Sequence, residues 1–162
     1  MKKSLLIKFI FIAIGAFIWM SHSGGRAADK NQGNTGAPGD ASVTCGASNC
    51  HGGNSTSVDL DITVTDSDGN EVSGYLPNQT YTIRVGINHT GGTAPVAYGF
   101  QLVALTDSNN QSTESFSNPS SNVQLATANS TGRLYAEHNG PSSSSTFDVQ
   151  WTAPDELSLI HI

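Results

Sequence analysis

Ser57-Val58-Asp59-Leu60-Asp61-Ile62-Thr63-Val64-Thr65 alternates apolar and polar side chains without a break. Successive side chains of an extended strand point to opposite faces, so Val58, Leu60, Ile62 and Val64 share one face and Asp59 and Asp61 the other. Carboxylates demand water, which makes this a half-buried strand in a sheet with one wet face. The pattern recurs downstream. Tyr81, Ile83, Val85 and Ile87 alternate between Thr80 and His89, and Phe147, Val149 and Trp151 alternate within Thr146–Thr152. Ala97–Thr106 is apolar on both faces, which suits a central strand. Shorter candidates occupy Ser112–Phe116, Val123–Ala126 and Gly132–His138. Asp68-Gly69, Pro77-Asn78, Gly91-Gly92 and Asn139-Gly140-Pro141 supply the breaks. No window of adequate length carries helical periodicity. Seven short strands joined by turn-rich loops predict an all-β fold, an antiparallel β-sandwich of immunoglobulin-like type.

Upstream of these strands the composition changes. Residues 28–56 are rich in Gly, Asn, Ser and Ala and lack apolar periodicity. They predict an irregular arm, ordered where its Cys–His segment ties it down. Earlier still, Lys2 and Lys3 precede an apolar run from Leu5 to Met20, interrupted by Lys8 and Gly15. Gly25 and Ala27 then stand at the spacing a signal peptidase reads, so residues 1–27 read as an export signal cleaved after Ala27. A retained membrane anchor would need a longer run without the lysine. No second apolar span follows. The mature chain is therefore expected to be secreted or held at the cell surface, with no stable membrane span, where disulfides persist.

Processing also changes the charge. Lys2, Lys3, Lys8 and Arg26 leave, so Lys30, Arg84 and Arg133 face thirteen acids, a net charge of 3 − 13 = −10. Such a surface repels phosphate backbones and argues against a nucleic-acid partner. About 135 residues remain, enough for one domain with a modest core.

Cys45-Gly-Ala-Ser-Asn-Cys50-His51-Gly52 contains both cysteines, with a histidine behind the second. Thiols and an imidazole this close serve a disulfide, a metal site or covalent haem. In an exported chain a Cys45–Cys50 disulfide is the leading reading, and closing so short a loop stabilises by about 2 kcal/mol in the chain-entropy model. Other motifs dissolve. Asp66-Ser67-Asp68-Gly69-Asn70 starts like a calcium loop, but glycine stands at its fourth position and Pro77 at its twelfth, so a hairpin turn is expected. Asn54, Asn78, Asn88, Asn110 and Asn129 each begin an Asn-x-Ser/Thr sequon, as composition alone would produce. No serine sits in a Gly-x-Ser-x-Gly elbow, and no catalytic constellation is assigned.

Several blocks in order resemble a known family. Gly36-Ala37-Pro38-Gly39, the segment ending Cys50-His51-Gly52, and Gly74-Tyr75-Leu76-Pro77-Asn78-Gln79-Thr80-Tyr81 are followed by Tyr98-Gly99-Phe100-Gln101-Leu102. His138 and Val149-Gln150-Trp151-Thr152-Ala153-Pro154 close the series. Together they resemble the bacterial choice-of-anchor V domains, relatives of the reeler domain of reelin. The resemblance implies an immunoglobulin-like sandwich spanning 57–154 on a secreted or cell-surface protein, with no enzymatic activity and no settled ligand. Relatives continue past the Trp-x-Ala-Pro block with another strand, whereas residues 155–162 do not resemble the family. The tail therefore reads as a truncation or artefact that leaves the sandwich without its last strand and with an open edge. His161 receives no functional role.

The family pattern also pairs His138 with the Cys–His block. Covalent haem c is the alternative reading: Cys45 and Cys50 would add to the vinyl groups, with His51 and His138 as axial ligands. Four residues separate the thiols where two are usual, a longer spacing that resembles a variant in multihaem cytochromes. The same four side chains are of types zinc accepts, but exported thiols oxidise first, so no metal is assigned. The function expected is a non-catalytic binding or adhesion module for an extracellular protein or glycan, without cofactor. The alternative is a monohaem electron-transfer domain.

Overall fold

The computed structural model describes residues 24–46, 56–113, 115–155 and 158–161, the last group in backbone only. Among these residues eight strands follow one short helix: α1 (Arg26–Lys30), β1 (Thr56–Thr65), β2 (Thr80–Gly92), β3 (Gln101–Thr106), β4 (Phe116–Ser117), β5 (Val123–Ala128), β6 (Arg133–His138), β7 (Thr146–Thr152) and β8 (Ser158–His161). They form two four-stranded sheets, in the orders β1-β2-β7-β4 and β5-β6-β3-β8. Every pairing is antiparallel. The fold is an all-β sandwich.

Register explains why the alternation was so regular. Tyr81, Ile83 and Val85 stand directly opposite Trp151, Val149 and Phe147. Opposed residues of an antiparallel pair share a face, so both apolar sets turn to the same core. There they meet Leu102, Ala104 and Ala136 from the second sheet. The edge of Tyr75 stacks on Trp151 at 5.1 Å, and the Trp151 Nε1–H donates to Thr113 Oγ1 at 3.3 Å. On the wet face Arg84 and Asp148 are cross-strand partners joined by two hydrogen bonds of 2.8 Å. The β1–β2 connection is a turn in which Asp66 Oδ1 accepts the amides of Asp68 at 3.0 Å and Asn70 at 2.9 Å. The Asn70 amide chiefly lowers the Asp66 pKa below the usual carboxylate range.

The central strand β3 is buried on both faces for two different reasons. Leu102 and Ala104 face the core between the sheets. Val103 and Leu105 face away from it, into a second apolar cluster with Ala27, Ala37, Ala128 and Tyr135. Ala37 belongs to the arm and Ala27 is the residue just before it, so the chain ahead of the strands is the cover on this outer face. The arm has no regular periodicity, as its composition predicts, yet it is an integral layer of the domain.

The tail departs from expectation. The edge that the sequence suggests is open carries β8 instead, with Val103, Ala104, Leu105 and Thr106 opposite His161, Ile160, Leu159 and Ser158. A four-residue segment needs only backbone donors and acceptors to pair with an edge, so family likeness was no requirement.

Candidate functional site

The predicted Cys–His site is only partly within the described residues. Cys45 is exposed near the end of the arm, whereas Cys50 and His51 lie outside the described residues. His138 closes β6, half-buried. Its Nδ1 lies 3.1 Å from the Phe100 amide nitrogen and 2.9 Å from the Phe100 carbonyl oxygen, accepting or donating according to tautomer. Gly99 lies under the ring: a Cβ there would stand 2.8 Å from His138 Cε1. The Tyr98-Gly99-Phe100 block thus seats His138 against the backbone. Among the described residues no group of three or more His, Cys, Asp or Glu side chains could hold a metal ion. No helix among them is long and apolar enough to cross a membrane.

Two polar clusters that local sequence did not reveal hold the arm down. In the first, Gln101, Glu137 and Gln124 stand in a row across β3, β6 and β5. Glu137 is 0% exposed. Its Oε2 accepts the Ala27 amide at 2.9 Å and Gln101 Nε2 at 2.9 Å, and its Oε1 accepts the Ala28 amide at 2.8 Å. Gln101 Oε1 accepts the Asn34 amide at 2.7 Å. In the second cluster Asp40 accepts Arg133 Nη1 at 2.8 Å, Tyr135 Oη at 2.6 Å and Thr35 Oγ1 at 2.6 Å. Burial first, and donation to Asp40 second, push the Tyr135 phenol up to about 12. Arg133 Nη2 also donates to the carbonyls of Pro38 at 2.6 Å and Asn110 at 2.8 Å. It borders a polar depression lined by Asn109, Asn110, Gln111 and Thr131, but its charge is already spent on Asp40.

The opposite situation holds at β1. Leu60, Ile62 and Val64 stand across from Ile87, Val85 and Ile83, so the apolar side of β1 continues the core face of β2. Those β2 partners are buried, yet Val58, Leu60 and Ile62 are 45%, 54% and 43% exposed. Alternation predicted burial for them. Among the described residues β1 pairs with β2 alone, and its inward side chains stay exposed where those of β2 are buried. Only Val64, at the hairpin end, reaches the core. Among the described residues β1 is also an edge strand, with no strand paired to its outer backbone donors and acceptors. Burying what remains exposed on three such side chains is worth about 2–4 kcal/mol. Asp59 and Asp61 project from the other face of the same strand, both exposed. An open ladder, an apolar stripe and an anionic stripe thus coincide on one strand.

No protein-family profile matches the sequence, and comparison with curated proteins finds no match. Two solved fragments of the human F-spondin reeler domain are similar in structure, each with a TM-score of 0.39. Sequence identities are 18% and 19% over 57% of this chain, spanning 63% and 67% of the two fragments. At that level of likeness no site, ligand or partner is carried over from them.

Proposed function

We propose that this chain is an exported, non-catalytic binding module that captures an extended segment of an extracellular protein along the β1 edge. The observation that carries the reading is the uncovered core face of β1, where Leu60 and Ile62 remain 54% and 43% exposed beside the buried Ile87 and Val85. A strand added to this edge would satisfy the open backbone ladder, and alternate side chains would read the two faces. Its inward side chains must be apolar to cover Leu60 and Ile62. Its outward side chains would lie beside Asp59 and Asp61, where lysine or arginine is favoured across strands. The net charge of −10 on the processed chain, three cations against thirteen acids, draws such a segment in at longer range. A peptide offers this pattern and a glycan does not, so a protein ligand is favoured over a glycan. The cysteine pair is read as a disulfide in the same exported chain, on compartment and spacing.

The test uses an end-capped peptide of alternating valine and lysine, with a control of identical composition in which the valines and lysines form two blocks. The alternating peptide is expected to bind in a saturable manner, and the blocked one weakly. Leu60→Asp should reduce affinity at least about tenfold, because it removes apolar contact and buries a charge. Equal binding of both peptides, or no effect of Leu60→Asp, would show charge attraction alone and overturn the reading.

A further inference from the structure

We infer that Glu137 is the internal counter-ion of the processed N-terminus, placed to receive the α-ammonium that cleavage after Ala27 creates on Ala28. The inference rests on the export part of the proposed function. Its structural basis is independent of β1.

Glu137 is 0% exposed, and among the described residues no lysine, arginine or histidine nitrogen lies within salt-bridge distance of it. A carboxylate so buried is costly unless it is hydrogen-bonded and its charge balanced. Neutral donors hold it in the intact chain: the amides of Ala27 and Ala28 at 2.9 and 2.8 Å, Gln101 Nε2 at 2.9 Å and Gln124 Nε2 at 3.5 Å. Gly25 closes over the group with φ 90, where a Cβ would collide with the carboxyl. The carboxylate therefore points at the backbone of residues 25–28, the stretch that a signal peptidase reads.

The cleavage register is narrow. Gly25 and Ala27 supply the two small side chains the protease requires, and a shift of one residue either way puts Arg26 in one of those positions. Hydrolysis of the Ala27–Ala28 bond adds hydroxide from water to the Ala27 carbonyl carbon, which leaves as a carboxylate with the leader. The nitrogen of Ala28 takes the other proton of that water and the proton released by the new acid, and becomes an ammonium. That nitrogen already stands 2.8 Å from Glu137 Oε1. The same cut removes the Ala27 amide from Oε2 and lifts the Gly25 cover. A group with three donors and a positive charge replaces two neutral amide donors, so processing exchanges a capped carboxylate for a charge-assisted pair. The glutamines on either side flank the pair in the same cross-strand row.

The experiment uses the full chain exported by a secreting host. The processed protein holds two amines, the α-amine of Ala28 and the side chain of Lys30. An accessible α-amine is the less basic of the two and reacts first with an acylating reagent near neutral pH. Intact mass and terminal sequencing are expected to give Ala28 as the first residue, with Lys30 acylated at least about tenfold faster than the α-amine. Glu137→Gln should restore the ordinary order in a protein whose Trp151 emission remains that of the folded state. A second variant with one glycine inserted between Ala27 and Ala28 shifts the amine off the carboxylate and should restore that order without altering the sheet. A first residue other than Ala28, or an α-amine that reacts first in the folded wild type, would overturn the inference and leave export intact. Recovery of a chain still carrying residues 1–27 would overturn the export reading as well.

Discussion

Two aspartates in this protein accept an arginine nitrogen at the same 2.8 Å, and removing them should have very different consequences. Arg84 and Asp148 have side chains 60% and 34% exposed. Water screens such a pair, and Asp148→Ala should cost no more than about 1 kcal/mol. Asp40 is 0% exposed in its side chain and Arg133 is 11% exposed. Asp40→Ala strands four donors at once: Arg133 Nη1, Tyr135 Oη, and the Oγ1 and amide of Thr35. Breaking a buried pair from one side costs about 3–5 kcal/mol. Arg133 keeps the Pro38 and Asn110 carbonyls, and Tyr135 keeps Thr131 Oγ1 at 3.1 Å, so the lower end, about 3 kcal/mol, is expected. Urea unfolding followed by Trp151 emission measures both variants on one scale. Limited trypsin cleavage after Lys30 reports whether the arm lifts first. A loss for Asp40→Ala within about 1 kcal/mol of that for Asp148→Ala would refute the claim that burial, rather than distance, sets the strength of these pairs.

Trp151 is 1% exposed with rings of Tyr75 and Tyr81 around it. Trp151→Ala should therefore cost about 3–5 kcal/mol by equilibrium unfolding, and emission at a fully solvated wavelength in the folded wild type would contradict its place in the core. Tyr135 ionises at about 12 in the fold and near ~10 unfolded. Its raised value contributes stability that is complete below the unfolded pKa and lost as pH rises through the folded one. Alkaline stability should fall across that window in the wild type and less steeply in Tyr135→Phe; identical profiles would remove Tyr135 as the cause. Cys45 and Cys50 are expected to resist alkylation until reduced, the mass then rising by two hydrogens. A Soret band that survives acid–acetone extraction would instead establish the haem alternative.

The parts of the fold legible in the sequence are those that geometry writes locally. Period-two alternation is a property of one strand, so the paired sets in β2 and β7 could be read before their register was known. Glu137, Gln101 and Asp40 could not. Each is a polar residue whose burial is decided by partners far along the chain: Ala27 lies 110 positions from Glu137 and Asn34 lies 67 from Gln101. One signal was present and under-used. A strand apolar on both faces, as in Ala97–Thr106, requires two covers, while two sheets of a sandwich supply only one. The second cover had to come from the segment that composition marked as irregular. At β1 the error ran the other way, because alternation states which side chains share a face and cannot state whether the facing sheet is wide enough to cover them.

These two departures are connected, and together they bear on the binding edge proposed at β1. The outer face of the second sheet would have exposed Val103, Leu105 and Tyr135; Ala37 of the arm, joined before processing by Ala27, covers them, and the arm satisfies the polar groups between. The outer face of the first sheet needs no cover, since Arg84, Asp148 and Gln150 keep it wet. Both broad faces are thus self-sufficient. Among the described residues, what is left unsatisfied is the strip of β1 beyond the core, and it runs along an edge with no strand paired to it. Natural edges of this kind are ordinarily blunted by inward charge, proline or shortness. β1 is ten residues long, carries no proline, and keeps its carboxylates on the outward side. An edge that retains apolar side chains inward and confines its charge to the other face is protected against indiscriminate pairing by repulsion between like-charged copies, while remaining open to a strand of complementary sign. That selectivity is what distinguishes a binding edge from an aggregation liability, and it is why the ligand expected at β1 is cationic on one face and apolar on the other.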